Sequence, residues 1–440
     1  MKKIFFSIAL TLCAMTAAAQ EPLSTYDLNK PFGWGAMEGF EVTGGAGGDE
    51  VVVTTEEEFD NAINAKGTSG ARDLPRTIYI QGQIEFKTMH TYHVKNKTIL
   101  GLPGSKIFSK DRTKKNSGIL KFTSGSGSDS ENIILRNVTI QGAGAYDVDG
   151  DDALLFQGVD RIWVDHCDIM DGVDSSFDCN HESDHILVTW CRFRYLIPPM
   201  AGGSGGSDDH RYCNTWGSSD GDTSSEGHLN TTFANCWWDE GCMERCPRVR
   251  FGKVHVVNCY YTNVGNHYSL GYGYKSNIYA ENCWFADGVV VSKDYTTPKK
   301  GYGDYNLQIV NCHNSADVKQ NVGEIEYFTP SNYYQYSPYD TDLVPTVVGN
   351  EKTGAGANLM VEVGKGITGY ADGSVVPDPE PEPDPIVDGI RSIENSELRI
   401  EKQGSAPTGK ANCDYYTLTG QKASPNFKGI VVKDGKKLVK

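Results

Sequence analysis

The stretch Val254-His255-Val256-Val257-Asn258-Cys259 returns as Ile278-Tyr279-Ala280-Glu281-Asn282-Cys283 and again as Leu307-Gln308-Ile309-Val310-Asn311-Cys312. Each copy is a short aliphatic run that closes on Asn and Cys. The phrase also stands upstream as Ile133-Ile134-Leu135-Arg136-Asn137-Val138, Ile162-Trp163-Val164-Asp165-His166-Cys167, Ile186-Leu187-Val188-Thr189-Trp190-Cys191 and Thr232-Phe233-Ala234-Asn235-Cys236. Successive copies begin about 23 to 29 residues apart, except for one gap of about 45 between Cys191 and Cys236. Such a period signals a solenoid, whose repeats bury their apolar faces against one another. One strand per repeat with no helix between repeats implies an all-β chain coiled as a right-handed parallel β-helix. Stacking identical phrases puts like on like, so Asn is expected to form a hydrogen-bonded ladder at a turn and aliphatics to fill the interior.

Outward from the repeats, the long gap marks an insertion, Ile197 to Glu226, rich in Gly, Ser and Asp. Insertions on a solenoid project from one face, where binding clefts form. Glu56 to Ala65 reads as a short helix placed to cap the open end of the coil. At the start, Met1-Lys2-Lys3, the apolar run Ile4 to Leu12 and Ala17-Ala18-Ala19 have the form of an export signal, expected over 1–19. No later run approaches the ~18 apolar residues of a membrane span. The β-helix domain is expected over 20–374. The acidic, Pro-rich 375–386 should be an extended spacer, and 387–440 a small β-type module. Tyr415-Tyr416-Thr417-Leu418-Thr419-Gly420 and Gly429-Ile430-Val431-Val432-Lys433-Asp434-Gly435-Lys436 supply its strands. This tail resembles the sorting or anchoring modules of exported Bacteroidetes proteins. The expectation is a secreted monomer, extracellular, periplasmic or held at the cell surface by this tail.

A formal charge of -16 argues against nucleic acid as partner. It also sits awkwardly with a polyanionic ligand, although part of the acid lies in the tail and clustered carboxylates can hold a cation. Eleven cysteines remain after the signal. Six of them, Cys167, Cys191, Cys236, Cys259, Cys283 and Cys312, share one place in the repeat. A buried ladder of small apolar thiols is therefore preferred to a disulfide framework, with Cys242 and Cys246 the pair expected to be bridged if any is.

Three acids invite a hard cation. Asp152 precedes a strand start, Asp174 and Asp178 flank Ser175-Ser176-Phe177 one coil later, and stacking can bring the carboxylates together. Oxygen ligands of this kind suit calcium, with Asp149 and Asp151 as further candidates. A basic group faces them in sequence: Arg245, Arg248 and Arg250. In a strand, 248 and 250 share one face and Val249 turns to the other.

These residues belong to phrases that carry a resemblance. They are Glu38-Gly39-Phe40 with Gly44-Gly45, Lys97-Thr98-Ile99-Leu100-Gly101, Asp152-Ala153-Leu154, Trp163-Val164-Asp165-His166, Gly217-Ser218-Ser219-Asp220, and Glu244-Arg245-Cys246-Pro247-Arg248-Val249-Arg250-Phe251-Gly252-Lys253-Val254-His255. In this order, over about residues 31 to 375, the chain resembles the pectate lyase family. The resemblance implies β-elimination on polygalacturonate with calcium on Asp152, Asp174 and Asp178, Arg245 as base and Arg250 on substrate; Arg248, between the two, is expected on substrate as well. The family's substrate-binding Lys is replaced, displaced by one residue, by Arg211 in Asp209-His210-Arg211. Because Arg is effectively always protonated, a base of this kind implies an alkaline optimum. A β-helix hydrolase with paired carboxylates, a non-catalytic carbohydrate-binding solenoid and a calcium-free pectin lyase are the competing readings.

Overall fold

In the computed structural model, the described residues are 28–67, 70–125, 129–295, 305–318, 321–322, 325–373, 416–417, 430–433 and 436–439. The expected export signal and spacer lie outside them. The chain divides into two compact units, Met1–Glu380 and Pro381–Lys440. Among the described residues, the second unit shows an antiparallel sheet of Tyr416–Thr417, Ile430–Lys433 and Lys436–Val439.

The first unit is a parallel β-helix of three sheets that the chain visits in rotation. The first sheet carries the repeated phrase, from Asp49–Val53 through Lys253–Val257 and Asn277–Glu281 to Asn306–Val310. Its strands pair residue for residue, as Val256 does with Phe233 and Ala280. The second sheet begins just past the Cys of each phrase, in strands such as Trp237–Trp238, Tyr260–Tyr261 and Trp284–Phe285. The third includes Leu154–Gln157, Phe177–Asn180, Thr215–Trp216, Arg248–Val249, Leu270–Tyr272 and Ser292–Asp294.

At the corner between the first and second sheets the backbone turns left-handed in each coil from Asn137 to Asn311. Asn137, Asn235, Asn258, Asn282 and Asn311 hold φ between 49° and 57°, and His166 and Trp190 take the same place at 44° and 50°. Asn tolerates this region better than most residues, which is why the phrase repeats it. The expected amide ladder is only partial. Asn258 does donate to the carbonyl of Asn282, but Asn258 and Asn282 both also donate to Tyr339, and Asn137 to Leu359, in the segment laid over the outside.

The thiols do stack. Each described Cys is free, and those of the phrase reach the carbonyl one coil back, Cys236 to Val188 at 3.4 Å and Cys283 to Val256 at 3.4 Å. Cys242 and Cys246 are not bridged. Their Sγ atoms donate separately to Phe193 and Glu244 carbonyls inside the core, and burial raises the Cys246 thiol to about 11. Aromatic rings fill the rest, one per rung: Phe122 on Phe156 at 5.0 Å, Phe156 on Phe177 at 5.8 Å, Phe177 on Trp216 at 5.3 Å.

The helix at the N-terminal end spans Glu56–Ile63, two residues short of the expected end, started by Thr55, whose hydroxyl accepts from Glu58 N–H. Phe59 and Ile63 close the core, Phe59 edge-on to Phe86. The 45-residue gap is not all loop. It holds a full coil, with Thr215–Trp216 as its rung of the third sheet, and the extra length is concentrated in the turn before that rung.

Candidate functional site

Alternation in the third sheet sorts the site from the core. Phe177, Cys179, Trp216 and Val249 point inward and are fully buried, so Asp178, Thr215 and Arg248 project outward on successive rungs. The order is carried by the pairings Cys179 with Trp216 and Thr215 with Arg248. Asp152 and Asp174 lie in the turns that lead into the Leu154 and Phe177 strands.

The three carboxylates lie within electrostatic reach of one another. Asp152 is pushed well above the usual carboxylate range by burial and then by the charges of Asp178, Asp174 and Asp151, against the pull of Arg245. No described residue donates a hydrogen bond to its carboxylate. Burial raises Asp178 to about 6, although Ser175 O–H, Arg245 and Thr215 N–H all favour its charged form; Oδ1 accepts from Ser175 at 2.6 Å and Thr215 at 2.7 Å. Asp151 is raised by burial, moderated by Lys121, whereas Asp149 is turned away to Lys114 at 2.5 Å. Among the described residues no three His, Cys, Asp or Glu side chains converge tightly enough to ligate an ion as they stand. The set is nevertheless all oxygen, under-hydrogen-bonded and mutually repelling, a chemistry that suits a hard divalent cation.

The arginines gather on one coil, in and beside the Arg248–Val249 strand, one rung past Thr215. Arg245 has φ of 61°, a region costly for a residue with a Cβ. It donates to Thr215 Oγ1 at 3.0 Å and lies 4.1 Å over the Tyr212 ring, while its buried Nε has no partner among the described residues. Burial opposes its charge, but Asp178, Tyr268 and Asp174 outweigh this and raise its pKa. Arg248 is the reverse. Burial, together with Arg250 and Arg245, brings it down to about 10. Arg250 is held by Asp220 at 2.9 Å and the Gly217 carbonyl at 2.7 Å, which gives Gly217-Ser218-Ser219-Asp220 its purpose.

Arg211 stands apart. Its guanidinium makes a two-pronged pair with Asp209 at 2.7 and 2.6 Å and lines a cavity with Leu196, Pro198, Met243 and Val264. Its neighbours on either side reach the site instead: His210 Nε2 lies 2.7 Å from Asp174 Oδ1, and Tyr212 sits under Arg245. His210 and Tyr212 were missed because nothing in a non-repeating turn says which residue faces the cleft.

Residues 7–358 match the family described as pectate lyase. The chain belongs to the pectate lyase family. It is thus a polysaccharide lyase. Similar curated proteins include a pectate trisaccharide-lyase of Thermotoga sp. (strain RQ2), 26% identical over 370 residues, which cover 76% of this chain and 90% of that one. A pectate lyase of Emericella nidulans is 29% identical over 242 residues, 53% of this chain and 62% of that one. Among solved structures, a pectate lyase bound to hexasaccharide superposes with a TM-score of 0.54 at 20% identity, covering 76% of this chain and 99% of that chain. The pectate lyase from Acidovorax avenae subsp. citrulli gives 0.52 at 15% identity, covering 80% and 99%. At these identities the structures speak for the fold, which is the pectate lyase β-helix.

Proposed function

We propose that this pectate lyase cleaves α-1,4-linked polygalacturonate by calcium-dependent β-elimination and leaves 4,5-unsaturated oligogalacturonates. The observation that carries the reading is the juxtaposition, on one outward face of one sheet, of a repelling carboxylate group with three guanidiniums two rungs further on. A hydrolase would need a separated acid and base pair, and none of the three aspartates has the isolated pocket a general acid needs. In this reading Asp152, Asp174 and Asp178 hold calcium, and His210 orients Asp174 from behind, as partners of ligating carboxylates do. What the ion supplies when bound is neutralisation, both of the aspartates that keep Arg245 charged and of the uronate carboxylate next to C5.

Arg248 and Arg250 grip substrate carboxylates with charge-assisted bonds. Arg250, fixed by Asp220 and Gly217, is the more rigid of the two. Arg245 removes the C5 proton, and the C5 electron pair forms the C4–C5 double bond as the C4–O bond breaks; the departing oxygen keeps that bond's electron pair and takes a proton from solvent. Its neutral fraction grows only at high pH, so the optimum is alkaline. Arg211 can join only by leaving Asp209.

The test is incubation with polygalacturonate in calcium and in excess chelator, following both the ultraviolet absorbance of unsaturated ends and the appearance of reducing ends. Absorbance that vanishes with chelator while circular dichroism holds is the expected result. Reducing ends without absorbance would make the enzyme a hydrolase, and full activity in chelator would remove calcium.

A further inference from the structure

The outward column that holds Asp178, Thr215 and Arg248 continues past them. Arg248 is in register with Gly271, and Gly271 with Lys293. Lys293 therefore stands two rungs, about 10 Å, beyond Arg248. Gly271 leaves the intervening rung without a side chain. A Cβ there would come within 2.7 Å of Tyr268 Cε2 and 3.1 Å of Arg248 Cγ, so the gap is kept for larger neighbours. Tyr295, half-buried, fills it. Its ring lies 3.8 Å from the Arg248 guanidinium and 5.1 Å from Lys293 Nζ, and it packs on the buried ring of Tyr268 at 5.2 Å. Lys293 Nζ is also 5.2 Å from Tyr268. No described carboxylate pairs with this exposed ammonium. It faces rings.

A cation set against an aromatic face, with no carboxylate among the described residues paired to it, is a place for an anion on an apolar frame. A 1,4-linked uronan has that chemistry: every sugar has a C–H-rich face and one carboxylate. A chain laid along the column would meet Arg248 first and Lys293 two rungs later. We infer that Lys293 and Tyr295 form a further uronate subsite, remote from the elimination, which binds the carboxylate of a sugar beyond those held by Arg248 and Arg250. This rests on the polygalacturonate reading above. The subsite makes longer chains better substrates, because only they reach it.

The experiment compares kcat/KM on hexagalacturonate and trigalacturonate for the full chain, Lys293→Gln and Lys293→Arg, with Lys352→Gln on a distant surface as a control. Removing the charge-assisted bond from Lys293 to the sugar carboxylate should shrink the hexamer's advantage over the trimer about tenfold, through KM rather than kcat. Lys293→Arg should keep the advantage, and Tyr295→Phe should as well, since the ring and not its hydroxyl is used. If Lys293→Gln keeps the parent's chain-length ratio, or weakens trimer and hexamer equally, the subsite is wrong while the lyase reading stands. If the parent yields no unsaturated ends from polygalacturonate, the reading beneath it fails and the subsite with it.

Discussion

Asp165 lies in one of the phrases that carried the family resemblance, yet its work is inside the fold. Its carboxylate is almost wholly buried and accepts from Arg136 Nε at 2.8 Å and Thr189 Oγ1 at 2.6 Å, with His166 Nδ1 2.9 Å away. Burial alone would raise its pKa, but His166 and Arg136 pull it down to about 2. A depressed carboxylate contributes stability that is present above its unfolded value and lost as pH falls through the folded one. Asp165→Asn should therefore cost about 3–5 kcal/mol near neutrality by leaving Arg136 buried without its counter-charge. The gap in thermal midpoint between parent and variant should close as pH drops from about 4 towards 2; a constant gap would show that the charge is not what matters. The arginines separate by kinetics. Arg245→Lys should lose at least ~100-fold in kcat, the low end for a general base, because lysine keeps the charge and loses the planar fork. Arg250→Lys, still beside Asp220, should raise KM more than it lowers kcat. Near-normal turnover of Arg245→Lys across the alkaline range would pass the base role to hydroxide or another group. Single residues were legible where a phrase fixed their direction, as with Val249 turned to the core between two arginines. They were not legible in the turn, where Arg211, His210 and Tyr212 are consecutive and only packing decides that the first pairs with Asp209.

At the scale of the strand, the sequence showed one sheet of three. The first sheet was readable because its corner demands a left-handed residue and a small buried thiol follows it just before the next strand, so Asn-Cys recurs. The second and third sheets run in strands of two to four residues, such as Trp237–Trp238 and Arg248–Val249, too short to display alternation. Their regularity lies across coils, in rings stacked one per rung, and becomes visible only when the coils are superposed. Phe156 tests this: it stacks on Phe122 and meets Phe177 edge-on. Phe156→Ala should cost about 3–5 kcal/mol, read as a lowered denaturation midpoint. A loss under about 1 kcal/mol, the scale of a surface change, would mean that the column carries little of the stability.

For the whole molecule, a solenoid stabilises itself coil by coil, so its first unit should not depend on the second. Deleting residues from 377 onwards is expected to leave lyase activity on polygalacturonate unchanged; an inactive or insoluble product would show that the tail supports the core. The stacked thiols have another consequence. Each of these coils places one thiol in the column, from Cys167 to Cys312, and of the column's thiols only Cys312, in the last coil, is partly open to solvent. The column is in effect a graduated scale for fraying. Under brief alkylation in rising denaturant, with modified peptides counted by mass, coils that unzip from the C-terminal end would be marked in the order Cys312, Cys283, Cys259. An all-or-none collapse would mark them together. The enzyme thus carries its own record of where its unwinding starts.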